Sequence, residues 1–122
     1  MIHLESIHEL PFPRAEVWPI LSQTDWLNRA LGLPAVEYAM TPAPGGGSQV
    51  NARTRLMGFE VRWREHPFEW REPEYYRVRR VFENGPFLEA RLGVEFLEPA
   101  SGRCRLVVGS DWECRHALGE TL

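Results

Sequence analysis

Leu88-Glu-Ala-Arg-Leu-Gly-Val-Glu-Phe96 and Cys104-Arg-Leu-Val-Val-Gly-Ser-Asp-Trp-Glu-Cys114 decide the fold of this chain. In the first, Leu88, Ala90, Leu92, Val94 and Phe96 fall on one parity and Glu89, Arg91 and Glu95 on the other. In the second, Cys104, Leu106, Val108, Ser110 and Trp112 oppose Arg105, Asp111 and Glu113. Upstream, Phe59, Val61 and Trp63 alternate with Glu60, Arg62 and Arg64. A period of two is the signature of a strand with one apolar and one wet face. From Ser48 to Arg115 the chain reads as five such runs joined by turns. The apolar face of that sheet needs a cover.

The rest of the chain supplies candidates for the cover. His3 to Leu10 alternates weakly and predicts a first strand, broken by Pro11-Phe-Pro13. Pro13 suits the first turn of a helix that carries Val17, Trp18 and Leu21 on one face. Pro19 lies inside it and removes a backbone donor, so the helix is expected to be kinked or short. Thr24 or Asp25 is the expected cap of a second helix holding Trp26, Leu27, Ala30 and Leu31, which Gly32 and Pro34 end. Val36 to Met40, Gln49 to Met57, Phe59 to Glu65, Tyr75 to Glu83, Phe87 to Leu97 and Cys104 to Cys114 follow as strands. His66 to Trp70 is read as a continuation of the third of these past a bulge at Pro67. Asn84-Gly85 is the strongest hairpin signal. The expectation is an α+β fold: one curved antiparallel sheet of about seven strands, with two short helices after the first strand.

Bulk properties narrow the class. With 122 residues the chain is read as one domain, 1–122, with enough length for a core. A net charge of −3 gives no reason to expect nucleic acid as the partner. All 14 cationic side chains are Arg, a residue suited to carboxylate pairing. No apolar run reaches the roughly 20 residues of a membrane helix, and Met1-Ile-His-Leu-Glu5 has no basic start or apolar block, so a cytoplasmic, non-spanning protein is expected. Cys104 and Cys114 share one strand, where ten residues span about 33 Å, far beyond the roughly 7 Å a disulfide allows between Cα atoms. Buried free thiols in a reducing compartment are expected.

Leu10-Pro-Phe-Pro-Arg-Ala-Glu-Val-Trp-Pro-Ile-Leu21, followed by a second aromatic-bearing helix over Ser22 to Gly32, resembles the entry of the START-like or SRPBCC superfamily, the helix-grip or Bet v 1-like fold. Trp26-Leu-Asn-Arg-Ala-Leu-Gly-Leu-Pro34 and Trp63-Arg-Glu-His-Pro-Phe-Glu-Trp70, with Val78-Arg-Arg80 and Gly85-Pro86, look like the START-like region ahead of some bacterial class III adenylate/guanylate cyclase domains. The resemblance implies a sensory or regulatory input module that binds a small hydrophobic molecule or lipid. The same superfamily includes polyketide cyclase and dehydratase enzymes and activators of chaperone ATPases, which stand as alternatives. Members normally close the sheet with a long C-terminal helix. Arg115 to Leu122 gives room for only about 12 Å of helix, so a short or missing lid is expected. Either the chain is a fragment of a longer protein, or a partner such as a downstream domain or a second copy covers the sheet.

Arg80 shares the parity of Tyr76, Val78 and Phe82 and should point into the apolar face. A buried guanidinium needs a carboxylate, a carbonyl or an anionic ligand. Glu65, on the parity of Val61 and Trp63, is the candidate partner. Three outcomes stand open: a polar anchor for a ligand carboxylate or hydroxyl, an internal ion pair, or a bulge that turns Arg80 to solvent. The predicted ligand-binding set is Trp63, Glu65, Tyr76, Arg80, Leu92 and Val94. His8 is either a pocket base or a structural histidine, and His66 is expected to be exposed. Cys114 and His116 give two ligand types but no converging third, so no metal is expected, and nothing indicates a cofactor. Pro44-Gly-Gly-Gly-Ser48 lacks the Lys-Ser/Thr of a phosphate loop and is read as a mobile hairpin loop. Arg77 and Arg79 are expected on the wet face, paired across strands with Glu60, Glu89 and Glu95. Trp18 and Trp26 are read as core, whereas Trp63 is as consistent with a pocket wall. No triad, nucleophile elbow or carboxylate dyad marks a catalytic residue.

Overall fold

The structure, a computed structural model, describes residues 1–66 and 69–115. Strand β1 (Ile2–Leu10) leads into helices α1 (Arg14–Leu21) and α2 (Thr24–Ala30). There follow β2 (Glu37–Pro42), β3 (Ser48–Leu56), β4 (Phe59–Glu65), β5 (Glu69–Arg71), β6 (Tyr75–Phe82), β7 (Phe87–Ala100) and β8 (Arg103–Cys114). All pairings are antiparallel, in the order β1-β8-β7-β6-β4-β3-β2, with β5 on β6. This is the expected α+β helix-grip arrangement, with the sheet left unclosed between β1 and β2. The eighth strand is β5: Trp70 pairs with Tyr76 in a separate short strand rather than extending β4. Pro67 and Phe68, where the bulge was expected, lie outside the described residues, as do His116 and the rest of the expected lid segment.

Helix α1 packs Val17 and Trp18 onto the sheet and keeps Pro19 within its eight residues. Trp18 lies 4.9 Å from the Phe96 ring and 6.1 Å from the Tyr76 ring, centroid to centroid. Helix α2 starts at Thr24, one residue earlier than a Thr24 cap and two earlier than an Asp25 cap would allow. Its cap position is therefore Gln23, whose side chain makes no capping bond, and Asp25 falls in the first turn. Leu27 and Asn28 are buried on it. Among the described residues, no helix is long and apolar enough to cross a membrane.

Two apolar clusters line the concave face. The larger joins Val17, Trp18 and Leu27 to Tyr76, Val78, Leu92, Val94, Phe96, Cys104, Leu106 and Val108 under the helices. The smaller gathers Ala52, Trp63, Phe82 and Ala90, with Val36, Val61, Phe87 and Trp112 against them. The alternation runs unbroken along β6 and β8 but slips at the start of β7. A bulge between Phe87 and Glu89 turns Phe87 inward, 5.0 Å from the Trp112 ring, and leaves Leu88 40% exposed. Phe59 has inward parity yet is 74% exposed, because it sits at the Met57-Gly58 turn beyond the packed rows.

The convex face carries part of the expected ladder, with Glu60 taken by Arg53 and Arg62 rather than by Arg77 or Arg79. Arg79 pairs with Glu89, Arg62 reaches Glu60 at 3.2 Å, and Arg53 reaches Glu37 at 2.7 Å. Arg77 instead lies over the Tyr75 ring at 4.4 Å. Cys104 and Cys114 are both buried and free. Pro44 to Gly47 lie in the β2–β3 hairpin loop, in which the Ala43 N–H donates to the Gly47 carbonyl at 3.0 Å, and Ser48 opens β3. At the β6–β7 turn, Asn84 does more than permit the hairpin. It accepts from the Arg62 N–H and donates to the Glu60 carbonyl, both at 2.8 Å, and so stitches the turn to β4.

Candidate functional site

One register row crosses the concave face from edge to edge: Met40, Val50, Glu65, Arg80, Ala90, Trp112 and Ile2. Arg80 stands at its centre, between the two apolar clusters, and is 1% exposed. Its Nε–H donates to Glu65 Oε1 at 2.5 Å. Its Nη2 donates to Asn28 Oδ1 at 2.6 Å and lies 3.4 Å from the Tyr38 hydroxyl. Asn28 Nδ2 donates to the same hydroxyl at 2.8 Å, and Trp63 Nε1 donates to Glu65 Oε1 at 3.2 Å. The guanidinium carbon also lies 4.9 Å from the centre of the Trp63 ring, a cation–π distance. Among the described residues, no buried side-chain nitrogen or oxygen lacks a hydrogen-bond partner. Of the three outcomes open for Arg80, the internal ion pair is the one present.

Beside this cluster lies a cavity of about 200 Å³. Leu56, Val61, Trp63, Phe82, Phe87 and Trp112 form its apolar wall, and Arg80 borders it. The segment after α2 closes one side, with Leu33 against the cavity and the Thr54 hydroxyl donating to the Ala35 carbonyl at 3.0 Å. The polar groups near the wall are spent on the protein. Trp112 Nε1 donates to Ser110 Oγ at 2.9 Å, and both polar atoms of the Asn84 amide are bonded to β4.

The structure brings Trp63, Glu65 and Arg80 together, and of these Trp63 and Arg80 line the cavity. Tyr76, Leu92 and Val94 lie instead in the larger cluster under α1. Tyr76 donates to the Leu21 carbonyl at 3.1 Å, and burial pushes its phenol far above the ordinary range. His8 is an exposed residue whose Nε2 lies 3.1 Å from Ser6 Oγ and whose ring meets Trp26 edge-on at 6.3 Å. It is opposite Leu106, six residues along β8 from Trp112 in the Arg80 row, or roughly 20 Å away along the strands. His66 is partly buried, not exposed: its N–H donates to the Arg79 carbonyl at 2.9 Å. Desolvation, with Arg79 and Arg64 nearby, lowers its pKa.

Asn28, Tyr38 and Phe87 belong to the site and were not singled out from the sequence. Asn28 had a signal, being a polar residue three positions before Leu31 on the face that α2 buries. Tyr38 had only the parity of Val36 and Met40. Phe87 was hidden by the bulge, which no residue type announces.

Solved structures share this fold. A protein from Thermus thermophilus superposes with a TM-score of 0.63 at 20% identity, covering 96% of this chain and 77% of that one. An aromatase/cyclase from Streptomyces sp. R1128 gives 0.66 at 18% identity, covering 99% and 73%. A protein from Thermobifida fusca gives 0.63 at 16% identity, covering 100% and 80%. These are likenesses of the Bet v 1-like fold. No family model and no curated protein sequence matches the chain.

Proposed function

We propose that this domain binds a compact hydrophobic molecule between Trp63, Phe82, Phe87 and Trp112, as a cytoplasmic sensory or regulatory module of a larger signalling protein. The observation that carries the binding reading is the cavity of about 200 Å³ with an apolar wall. A dry cavity of about 150 Å³ accepts benzene, whereas drug-sized ligands occupy about 300 Å³ or more. The guest is therefore a single ring, a short branched alkyl group, or the end of a longer lipid chain. A ring that buries about 200–250 Å² of apolar surface gains about 5–6 kcal/mol. That corresponds to a Kd of about 100 µM or weaker. The regulatory part rests on the likeness of the Trp26 to Pro34 and Trp63 to Trp70 segments to the region that precedes class III cyclase domains. The enzymatic alternative draws no support from the geometry. Glu65 and Arg80 are paired with each other, and His8 is some six residues away along the sheet.

The test is a titration of the isotope-labelled protein with toluene, read at the indole N–H resonances. Saturable shifts confined to Trp63 and Trp112 are expected. They should vanish in Val61→Trp, which fills the cavity. Unshifted indoles at millimolar toluene would end the proposal, as would unchanged binding in the filled variant.

A further inference from the structure

We infer that Glu65, together with Asn28 and Tyr38, cages Arg80 and thereby sets the cavity's preference for neutral over carboxylate-bearing ligands. The inference rests on the ligand-binding reading above and names the ligand class of that same site. A guanidinium beside an apolar cavity is ordinarily an anion anchor. Here the charge is already compensated. Glu65 takes the Nε–H at 2.5 Å, Asn28 takes Nη2 at 2.6 Å, and the Tyr38 hydroxyl lies 3.4 Å from the same nitrogen. The Trp63 ring stacks near the guanidinium and is itself tied to Glu65 through its indole N–H at 3.2 Å. These contacts engage Nε, Nη2 and the face of the guanidinium, and leave Nη1 outside the cage.

An entering carboxylate meets two penalties. It surrenders its hydration in a site whose other polar groups, Thr54, Asn84 and the Trp112 indole, are already bonded within the protein. It also feels the negative charge of Glu65, which is 7% exposed and bonded to the Arg80 that borders the cavity. A neutral ring of the same size meets neither penalty. Glu65 is thus the specificity determinant, and Asn28 and Tyr38 are positioning residues that act through Arg80.

Toluene and benzoate, nearly equal in size, separate these cases. Wild type is expected to bind toluene and to bind benzoate at least 100-fold more weakly. Glu65→Gln keeps the shape and removes the compensating charge, and it should raise the benzoate-to-toluene affinity ratio at least tenfold. Adding Arg80→Met to that variant should abolish the rise. If circular dichroism shows Glu65→Gln unfolded, Tyr38→Phe on the edge strand replaces it, with a rise of about threefold expected from the loss of one cage contact. An unchanged ratio in the folded variant overturns the inference, and so does a rise that persists without Arg80. Wild type binding benzoate as tightly as toluene overturns the inference alone. Wild type binding neither probe overturns the ligand-binding reading and the inference together.

Discussion

Breaking the Arg80–Glu65 pair one side at a time, and then replacing both residues, should give sharply non-additive stabilities. The two side chains are 1% and 7% exposed, so little solvent reaches either charge. Losing one partner of such a buried pair costs about 3–5 kcal/mol, because the other charge is left behind. The two single variants should differ in a direction the contacts fix. Glu65→Leu leaves the guanidinium with the Asn28 and Tyr38 oxygens and the face of Trp63. Arg80→Met leaves the carboxylate with neutral partners alone, the Trp63 indole N–H and the Tyr38 hydroxyl, and it also strips Asn28 Oδ1 of its donor. Arg80→Met should therefore be the worse of the two. Glu65→Leu/Arg80→Met removes both charges, and apolar replacement of a buried pair is often neutral or stabilising, so it should lie within about 1–2 kcal/mol of wild type. In urea, with a slope of about 2 kcal/mol/M, each single variant should lower the midpoint by about 1.5–2.5 M. The double variant should move it by less than about 1 M, for a coupling energy of at least about 3 kcal/mol. Single losses under about 1 kcal/mol, or a double loss near the sum of the singles, would show that Arg80 is solvated rather than caged.

Two further outcomes follow from contacts elsewhere on the sheet. A methyl group at Gly93 would sit 3.2 Å from Arg77 Cγ and 3.3 Å from the Tyr76 carbonyl oxygen, a backbone atom that cannot step aside. Gly93→Ala should cost about 1–3 kcal/mol, while Gly109→Ala, whose nearest neighbour is the exposed His3 ring at 4.0 Å, should stay within about 0.5 kcal/mol of wild type; equal chemical-denaturation midpoints for the two variants would contradict this. His3 Nδ1 lies 2.6 Å from Asp111 and Nε2 lies 3.4 Å from Glu5, and the hydrogen bond to Asp111 is the main cause of a pKa raised above 6.5, with the bond to Glu5 second. Because the folded-state value is the higher one, the clip between β1 and β8 is fully present below pH 6.5 and is lost as the pH rises through that raised value. Nuclear magnetic resonance should show His3 titrating above 6.5, with its midpoint falling in Asp111→Asn, and a midpoint at or below 6.5 in wild type would refute the assignment.

Much of this fold was legible because period-two alternation fixes which way a strand residue points. Tyr76, Val78, Arg80 and Phe82 all face inward as their parity requires, and the Glu65–Arg80 pairing was foreseeable from parity on two strands that the register places side by side. Parity carries no information about depth. Phe59 shares the parity of Trp63, yet one is 74% and the other 2% exposed, because burial depends on what lies above the residue and not on its direction. Leu92 and Val94 show the same limit from the other side: they point inward as expected but lie under α1, in a cluster separate from the cavity. At Leu88 even parity failed, since the single extra residue of a bulge reverses the faces and exchanged Leu88 for Phe87.

What parity could not supply was the identity of the groups facing Arg80 from outside its own neighbourhood in the sheet. Asn28 reaches it from α2, 52 residues away in the chain, and Tyr38 from edge strand β2, 42 residues away. Neither lies on β4 or β7, the strands that flank Arg80, so no strand register predicts the contact. These two residues nevertheless decide what the arginine can do. With Glu65 alone, both terminal nitrogens of the guanidinium would be outside the cluster, and the polar-anchor outcome would be the favoured one. With Asn28 and Tyr38 added, Nη2 is held between α2 and β2, and the same residue becomes a tie between cover and sheet. The chemistry of the cavity therefore depends less on the charged residue beside it than on two neutral residues that hold that charge against the protein. That is why a cavity bordered by arginine presents an apolar wall.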